Sequence, residues 1–268
     1  MIVTTKAMLK KAKKGEYAVG AFNTNNLEFT QGIVSAANSL KSPLIIQTSE
    51  SAIKYAGADY LSSIVRTAEK NSKIPIALHL DHGKKIKTIK KCLKNEYTSI
   101  MIDASDKNFK ENVKITKKVV KLCKRKKVPV EAELGTLVEN KLTKPKHAKE
   151  TVKKTGINSL AIAIGNQHGL YKGKPDIHFN VLKEINEMVT VPLVLHGASD
   201  LDKRTLKKCI SLGICKINID TDLRLAFSKG IKGKIKGRNI RQYLESARKN
   251  VKNKVKEKIK TFKSNDKA

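Results

Sequence analysis

The chain has 268 residues, of which 40% are hydrophobic and 4% aromatic, with no Trp. This length fits one large domain or two small ones, and it is enough to bury a sizeable aliphatic core. The formal net charge of +32 suggests an anionic partner, but the lysines are dispersed and arginine is scarce, which is typical of a solvated basic surface and argues against a nucleic-acid interface.

Eight short runs rich in Ile, Val, Leu or Ala have the length of β-strands. They cover residues 17–23, 43–49, 74–82, 99–105, 128–135, 159–169, 191–197 and 215–222. Apolar residues at helical spacing predict helices at 28–40, 58–71, 108–126, 180–189 and 201–212, and one or two lysine-rich terminal helices over 223–263. Asn108 and Asp200 are the predicted N-caps of two of these helices. The last residues, 263–268, are expected to be loose.

Near-continuous apolar strands indicate a parallel sheet that is covered on both faces. Eight strand–helix units over this length predict a (β/α)₈ TIM barrel, with a single domain over residues 1–268 and a C-terminal helical extension. A doubly wound open sheet is the alternative, but the chain lacks the Gly-rich fingerprint of a dinucleotide-binding sheet.

The spacing of the cysteines and the lengths of the apolar segments indicate the cellular compartment. Four cysteines occur, none in a C-x-x-C pair, and this pattern predicts reduced thiols in a cytoplasmic protein. No segment approaches the roughly 20 apolar residues of a membrane span, so no membrane association is expected.

Polar residues stand at the carboxyl end of every predicted strand. They are Asn23, Ser49, Asp81 with His82, Asp103 with Ser105, Glu133, His168, His196, and Asn218 with Asp220 and Thr221. In a barrel these ends meet on one rim, where the active sites of this fold lie. Packing alone does not account for polar residues at all eight ends, so the pattern predicts an active site.

Three of the rim residues are histidines, His82, His168 and His196. Three converging neutral imidazoles match a catalytic zinc site that leaves one coordination position open. His79 lies inside the third run and is expected to pack within the barrel. His147 and His178 fall in loops or helix starts and are expected to be solvated.

Glycine follows two of the three histidines, at Gly169 and Gly197. Glycine lets backbone N–H groups approach an anion closely. Together with Lys172, Ser199, Asp220 and Thr221, these residues could form the phosphate site that this fold commonly places near its last two strands.

The motifs HLDHG, MIDAS, VEAELGT, HGLYKG, PLVLHGASD and KINIDTDLRLAF, with matching segments from the first residue to the last, resemble the class II fructose-bisphosphate aldolases and the related tagatose-bisphosphate aldolases. The resemblance implies a (β/α)₈ barrel, a catalytic Zn²⁺ that a monovalent cation (Na⁺ or K⁺) often assists, and a homodimer or homotetramer. It also implies reversible cleavage of fructose 1,6-bisphosphate, with tagatose 1,6-bisphosphate as the alternative substrate.

The resemblance carries residue roles with it. It places His82, His168 and His196 on the zinc ligands, Glu133 on a carboxylate that can contact the metal, and Asp81 on the residue that moves the proton at the carbon next to the ketone. The positions implied for substrate binding and ordering are Asn23, Ser49, Asp103, Gly169, Lys172, Gly197, Ser199, Asn218, Asp220 and Thr221.

Two segments depart from the family pattern. The family has a long loop with a Gly-Gly-x-Glu-Asp signature after the fifth strand, and one Glu of that loop is an acid/base. Here the segment after ELGT is shorter by roughly ten residues, which leaves Glu139 as the candidate substitute. The region before the terminal helix is also abridged, and Arg241 is the candidate for an Arg that binds the distal phosphate across subunits.

Two other classes of function compete with the metal-dependent aldolase. A Schiff-base aldolase would need a buried Lys of lowered pKa, whereas this rim carries histidines and acids. A basic barrel with impaired catalysis and a binding role is suggested by the short loop and the net charge.

Overall fold

The computed structural model describes residues 2–135, 141–232 and 239–268. Its eight strands are all parallel and close into a barrel in the order β1-β2-β3-β4-β5-β6-β7-β8. The strands are β1 Val19–Asn23, β2 Leu44–Ser49, β3 Ile76–Gly83, β4 Ser99–Ile102, β5 Val130–Leu134, β6 Ser159–Ile162, β7 Leu193–Leu195 and β8 Ile214–Ile219. The predicted (β/α)₈ barrel is therefore confirmed, and the open-sheet alternative is wrong.

The described helices alternate with the strands. They are α1 Thr5–Lys14, α2 Leu27–Ser39, α3 Glu50–Ala56, α4 Ala58–Lys70, α5 Ile86–Lys94, α6 Phe109–Lys124, α7 Pro145–Thr155, α8 Phe179–Met188, α9 Lys203–Ser211, α10 Thr221–Lys232 and α11 Ile240–Thr261. None of the described helices is long and apolar enough to cross a membrane.

The main core lies between the sheet and the surrounding helices, and aliphatic residues build it. A second apolar cluster closes the amino-terminal end of the barrel, where Met8, Leu9 and Ala12 of α1 pack on Ala21 and Ile45 inside the strands. Because α1 covers this end, the cavity inside the barrel opens at the carboxyl-terminal mouth.

Of the two predicted N-caps, one is confirmed and one is wrong. Asp200 does not cap a helix, because α9 begins later and its N-cap is Asp202, whose side chain accepts hydrogen bonds from the N–H groups of Arg204 and Thr205. Asp200 instead accepts from the backbone N–H of Tyr171 at 2.9 Å. Asn108 does cap α6, since its side chain accepts from the N–H of Glu111 at 3.0 Å.

The carboxyl-terminal residues are ordered, contrary to expectation. Ser264 is buried, the N–H of Asp266 donates to the carbonyl of Leu40, and the N–H of Ala268 donates to the carbonyl of Lys41. These bonds tie the end of the chain to the turn between α2 and β2, because this turn has carbonyl groups that its own backbone leaves unpaired.

Candidate active site

The carboxyl-terminal mouth of the barrel opens into a cavity of about 930 Å³. Most of the residues predicted for the site line it: Asn23, Ser49, Asp81, His82, Asp103, Glu133, His168, Gly169, His196, Gly197, Ser199, Asn218, Asp220 and Thr221. They come from all eight strands or the loops that follow them, as parallel strands of a barrel require.

Three predicted residues stand apart. Lys172 and Arg241 are exposed and are not among the described residues that line the cavity. Glu139 lies outside the described residues. Their predicted roles stay predictions.

The three histidines converge. Ligand atoms of His82, His168 and His196 all lie within 4.8 Å of one another. The Nε2 atom of His82 lies 3.0 Å from Nδ1 of His196. A tetrahedral ion at 2.0–2.1 Å from each nitrogen would separate two ligand atoms by roughly 3.3 Å, so this pair already has near the required spacing.

Carboxylates surround His82. Its Nδ1 lies 2.8 Å from Oδ2 of Asp103 and 3.5 Å from Oε2 of Glu133, and its Nε2 lies 3.9 Å from Oδ1 of Asp81. Burial lowers the pKa of His82, but the negative charges of these groups outweigh burial and raise it to about 10. The same field would favour a divalent cation among these side chains.

The other two histidines are neutral at neutral pH. Desolvation and the neighbouring His82 lower the pKa of His168, and burial with the same neighbour lowers the pKa of His196 well below its ordinary value. Neutral imidazole is the form that binds a metal.

Two buried oxygen atoms at the site have no hydrogen-bond partner among the described residues: Oε2 of Glu133 and Oδ1 of Asn218. Burial raises the pKa of Glu133 to about 8. Unpaired buried acceptors are rare in native proteins and usually indicate an ion, water or ligand. The donor set and these free acceptors therefore fit a zinc ion with a polar substrate beside it.

Asp81 is held by two amides. The Nδ2 atom of Asn23 donates to its Oδ2 at 2.9 Å, and Nδ2 of Asn218 donates to its Oδ1 at 3.1 Å. Burial would raise the pKa of Asp81, but His82, His196 and Lys216 hold it below its ordinary value. The carboxylate is therefore ionised, and its orientation is fixed.

The loops after β6 and β7 contact each other at the carboxyl-terminal rim of the barrel. The phenol of Tyr171 donates to the carbonyl of Gly197 at 3.0 Å and accepts from the N–H of Gln167 at 2.9 Å. Gly197 has φ +60°, and a Cβ there would lie 2.2 Å from the carbonyl oxygen of Gln167. Glycine is thus required for the loop carrying His168 to approach the loop carrying His196.

The amino-terminal end of α10 faces the cavity through Asp220 and Thr221. Arg224, which the sequence analysis missed, also lines the cavity, with Nε 3.2 Å from Oδ2 of Asp220. A helix N-terminus and a guanidinium both favour an anion. Arg224 lies four residues after Asp220, at the start of the predicted terminal helices, and this closeness to the strand-end residues was the signal that could have found it.

Sequence reasoning also missed Glu131 and Lys216, which lie below the site inside the barrel. Side chains alternate along a strand, so Glu131 points to the same side of the sheet as Glu133, and Lys216 to the same side as Asn218. This alternation was the available signal.

The predictions for the burial of the other three histidines have different outcomes. His79 is fully buried within the barrel, as predicted. His178 is partly exposed beside Asp176. His147 is only half-solvated, because it stacks on Phe109 with ring centroids 4.1 Å apart.

The comparisons with known proteins agree with this geometry. Residues 3–267 match the family model described as fructose-bisphosphate aldolase class-II. The fructose-bisphosphate aldolase of Thermus caldophilus is 42% identical over 301 aligned positions, which cover 98% of either chain. That of Staphylococcus aureus strain Mu50 is 40% identical over 285 positions, covering 100% of this chain and 99% of the relative.

A solved structure extends the likeness to three dimensions. The YdjI aldolase from Escherichia coli K12 superimposes with a TM-score of 0.95 at 37% identity, and the match covers 100% of both chains. The barrel, the cavity and the sequence likeness therefore agree: the chain belongs to the class II fructose-bisphosphate aldolase family, a family of lyases.

Proposed function

We propose that this protein reversibly cleaves fructose 1,6-bisphosphate to dihydroxyacetone phosphate and glyceraldehyde 3-phosphate, the aldolase step of glycolysis, and that it depends on zinc. The observation that carries the proposal is the convergence of His82, His168 and His196 at one end of a cavity that also holds the ionised Asp81.

The three histidines would hold the zinc, with Glu133 as a further carboxylate in reach of the same space. When bound, zinc supplies a Lewis acid for the negative charge that develops at the ketone during cleavage. Asp103 orients His82 through the 2.8 Å contact with Nδ1. The proposed partners of one phosphate are Gly169, Gly197, Ser199 and Thr221, beside Arg224. Lys172 and Arg241 do not line the cavity, and we propose that they reach the substrate from outside it.

The chain's own residues must also move protons. Cleavage of the C3–C4 bond requires one proton to leave the C4 hydroxyl and one to reach C3. Asp81 is ionised and fixed by Asn23 and Asn218, so it can accept a proton without first reorganising. The free Oδ1 of Asn218 can accept a hydrogen bond from a substrate hydroxyl. Glu139 remains the sequence candidate for a second acid/base.

The Asp81→Ala variant should keep its zinc and lose about 10² to 10⁴ in turnover, the usual contribution of one positioned acid/base. Asp106→Asn, at an exposed carboxylate on the same rim, is the matched control and should stay active. NMR of dihydroxyacetone phosphate in D₂O locates the proton: loss of hydrogen exchange at its hydroxymethyl carbon assigns that proton to Asp81, as the family resemblance implies. Retained exchange with lost cleavage assigns the hydroxyl proton instead. Full activity of Asp81→Ala would contradict both roles.

A coupled assay with fructose and tagatose bisphosphates, each with and without zinc, tests the function directly. We expect EDTA to abolish cleavage and added zinc to restore it, with fructose bisphosphate preferred. Na⁺ and K⁺ are compared in the same assay, because the family resemblance implies a monovalent cation. Activity that survives EDTA but is lost with substrate plus borohydride would indicate a Schiff-base lysine. No turnover together with tight, salt-sensitive DNA binding would favour the basic barrel with a binding role.

We further propose a homodimer or homotetramer in the cytoplasm. The support for association is the family resemblance, which aligns Arg241 with an arginine that binds the distal phosphate across subunits. Arg241 is exposed at the start of α11 and does not line the cavity, and Leu225 and Ile240 are exposed as well. The support for a reducing compartment is that all four cysteines are free and buried. Light scattering after size-exclusion chromatography measures the assembly, and a monomer at assay concentration would contradict it.

A further inference from the structure

A buried polar cluster lies inside the barrel between α1 and the proposed zinc site. It contains Lys216 of β8 and His79 of β3, both 0% exposed, and Glu131 of β5, which is 2% exposed. None of the three lines the cavity, and the chemistry proposed above does not use them. Barrel interiors are usually filled with branched aliphatic side chains, so three polar side chains in this place require an explanation.

The ammonium group of Lys216 has three hydrogen-bond contacts, two with Glu131 and one with His79. Its Nζ lies 2.9 Å from Oε2 and 3.1 Å from Oε1 of Glu131, and 3.4 Å from Nε2 of His79. Each of its three hydrogens therefore has an acceptor. The cluster is anchored to the barrel floor, because Nδ1 of His79 contacts Ser99 Oγ at 2.8 Å and Ser99 Oγ contacts Thr5 Oγ1 of α1 at 2.9 Å.

Glu131 connects this cluster to a proposed zinc ligand. Its Oε1 lies 2.9 Å from Nε2 of His196. A carboxylate can only accept here, so Nε2 of His196 carries the hydrogen and Nδ1 keeps its lone pair. That Nδ1 faces Nε2 of His82 at 3.0 Å, on the side where the metal would bind.

Stability alone does not account for the ion pair. Removing two charges from water costs several kcal/mol per ion, and apolar replacements of buried pairs are often neutral or stabilising. Nearby interior positions are already apolar, at Met101, Ala161 and Val194. An aliphatic pair at 131 and 216 would fit this interior, so the polar pair has a role besides packing.

We propose that Glu131 and Lys216 are positioning residues for the metal: Lys216 fixes the carboxylate of Glu131, and Glu131 fixes the ring of His196 with Nδ1 directed at the ion. Asp103 does the same for His82, through the contact with Nδ1 at 2.8 Å. The inference rests on the zinc-dependent function proposed above. Partners of this kind orient metal-binding imidazoles, and their loss typically weakens metal affinity 10–100-fold.

Two double variants separate metal positioning from folding. Glu131→Leu/Lys216→Met removes the acceptor with no unpaired charge left behind, and we expect it to fold with a similar Tm. Its zinc affinity, measured by competition with a chromophoric chelator, should fall about 10–100-fold, and the visible spectrum of its Co²⁺ form should change. Glu131→Gln/Lys216→Met keeps a carbonyl acceptor at the same place and should recover most of the affinity.

Equal zinc affinity and an unchanged Co²⁺ spectrum in Glu131→Leu/Lys216→Met would overturn the inference while the zinc site itself stands. Failure of the unaltered protein to bind zinc would overturn both the inference and the proposed function. A test that needs no variant is long-range ¹H–¹⁵N NMR of the zinc-loaded protein. The inference expects the proton of His196 on Nε2, and a proton on Nδ1 would refute it even if neither variant folds.

Discussion

At the scale of single residues, the backbone as well as hydrogen bonding orients the three histidines that converge in the cavity. His82 has φ +46°, in the left-handed region, where the register between β3 and β4 shifts between Leu80 and Gly83. Its N–H contacts Sδ of Met101 at 3.3 Å. Such a conformation costs of order 1–3 kcal/mol and persists where the surroundings enforce it, commonly at functional sites. Here it leaves the His82 ring 5.0 Å from that of His168 and 4.7 Å from that of His196.

The His196→Ala variant should lose zinc. Loss of a partner behind a ligand costs 10–100-fold in affinity, so loss of the ligand itself should cost at least about 100-fold. Zinc content after dialysis against a weak chelator is the measurement. His147→Ala is the control, because neither His147 nor Phe109, on which it stacks, lines the cavity. A His196→Ala protein that retains one zinc per chain would remove His196 from the ligand set.

At the scale of elements, the sequence predicted the strands well and their ends less well. The run at 159–169 predicted one long strand, but β6 stops at Ile162. Beyond it the chain leaves the sheet through Gly165, at φ +98°, to build the loop that carries His168. The polar residues and glycines at this strand end belong to the loop that forms the site, and they are not part of the hydrogen-bonded strand. Hydropathy alone does not show where the strand ends and the loop begins.

Four described helices were not predicted: α1, α3, α5 and α7. Two of them, α1 and α5, bury apolar residues at helical spacing and could have been found (Met8, Leu9 and Ala12; Ile89, Cys92 and Leu93).

The other two helices, α3 and α7, gave weaker signals. The buried side of α7 consists of Ala148, Thr151 and Thr155, which gives little periodic signal, and α3 has only seven residues. The rim residues were predictable because strand ends are local features of the sequence. Glu131 and Lys216 were not recognised, because their pairing joins β5 to β8 through the barrel interior and depends on closure of the sheet.

The N-cap of α9 is Asp202 and not the predicted Asp200, and this difference can be tested by substitution. Asp202→Ala removes the acceptor for the N–H groups of Arg204 and Thr205 and should lower the free energy of unfolding by about 1 kcal/mol. Asp202→Asn keeps an acceptor of equal capping strength and should be nearly neutral. Urea unfolding of the three proteins under identical conditions gives the comparison. Equal stability of the alanine and asparagine variants would show that the cap contributes nothing.

At the scale of the whole molecule, charge and burial act on different properties. The net charge of +32 arises from 56 basic and 24 acidic residues, and such a shell attracts an anionic bisphosphate from a distance. The interior is stabilised by aliphatic packing around one closed barrel. We propose that residues 1–268 act as a single domain, because α11 packs on α2 and α10 and so joins the terminal segment to the barrel.

The four buried thiols predict how this molecule unfolds in alkali. Burial raises the pKa of Cys92, Cys123 and Cys209 to about 12 and that of Cys215 to about 11, whereas an unfolded thiol ionises near pH 8.5. The native state therefore holds protons that the unfolded state releases. The stability that these thiols contribute is complete below the unfolded pKa and is lost as pH rises toward the folded values.

We therefore expect the free energy of unfolding to fall steadily from about pH 9 toward pH 11–12. The measurement is urea unfolding across this range in about 1 M salt, where charges on the surface are largely screened, so that deprotonation of lysines does not mask the effect. Cys92→Ala/Cys209→Ala is the comparison: it loses packing at every pH, but its free energy of unfolding should decline less steeply with pH. Identical slopes in the two proteins would mean that other groups, such as the buried Tyr97, whose pKa burial also raises, govern the alkaline transition.

A thiol reagent gives a second test at pH 8. It should react slowly with the native protein, and it should react with all four thiols once the protein is unfolded, because only the thiolate is nucleophilic.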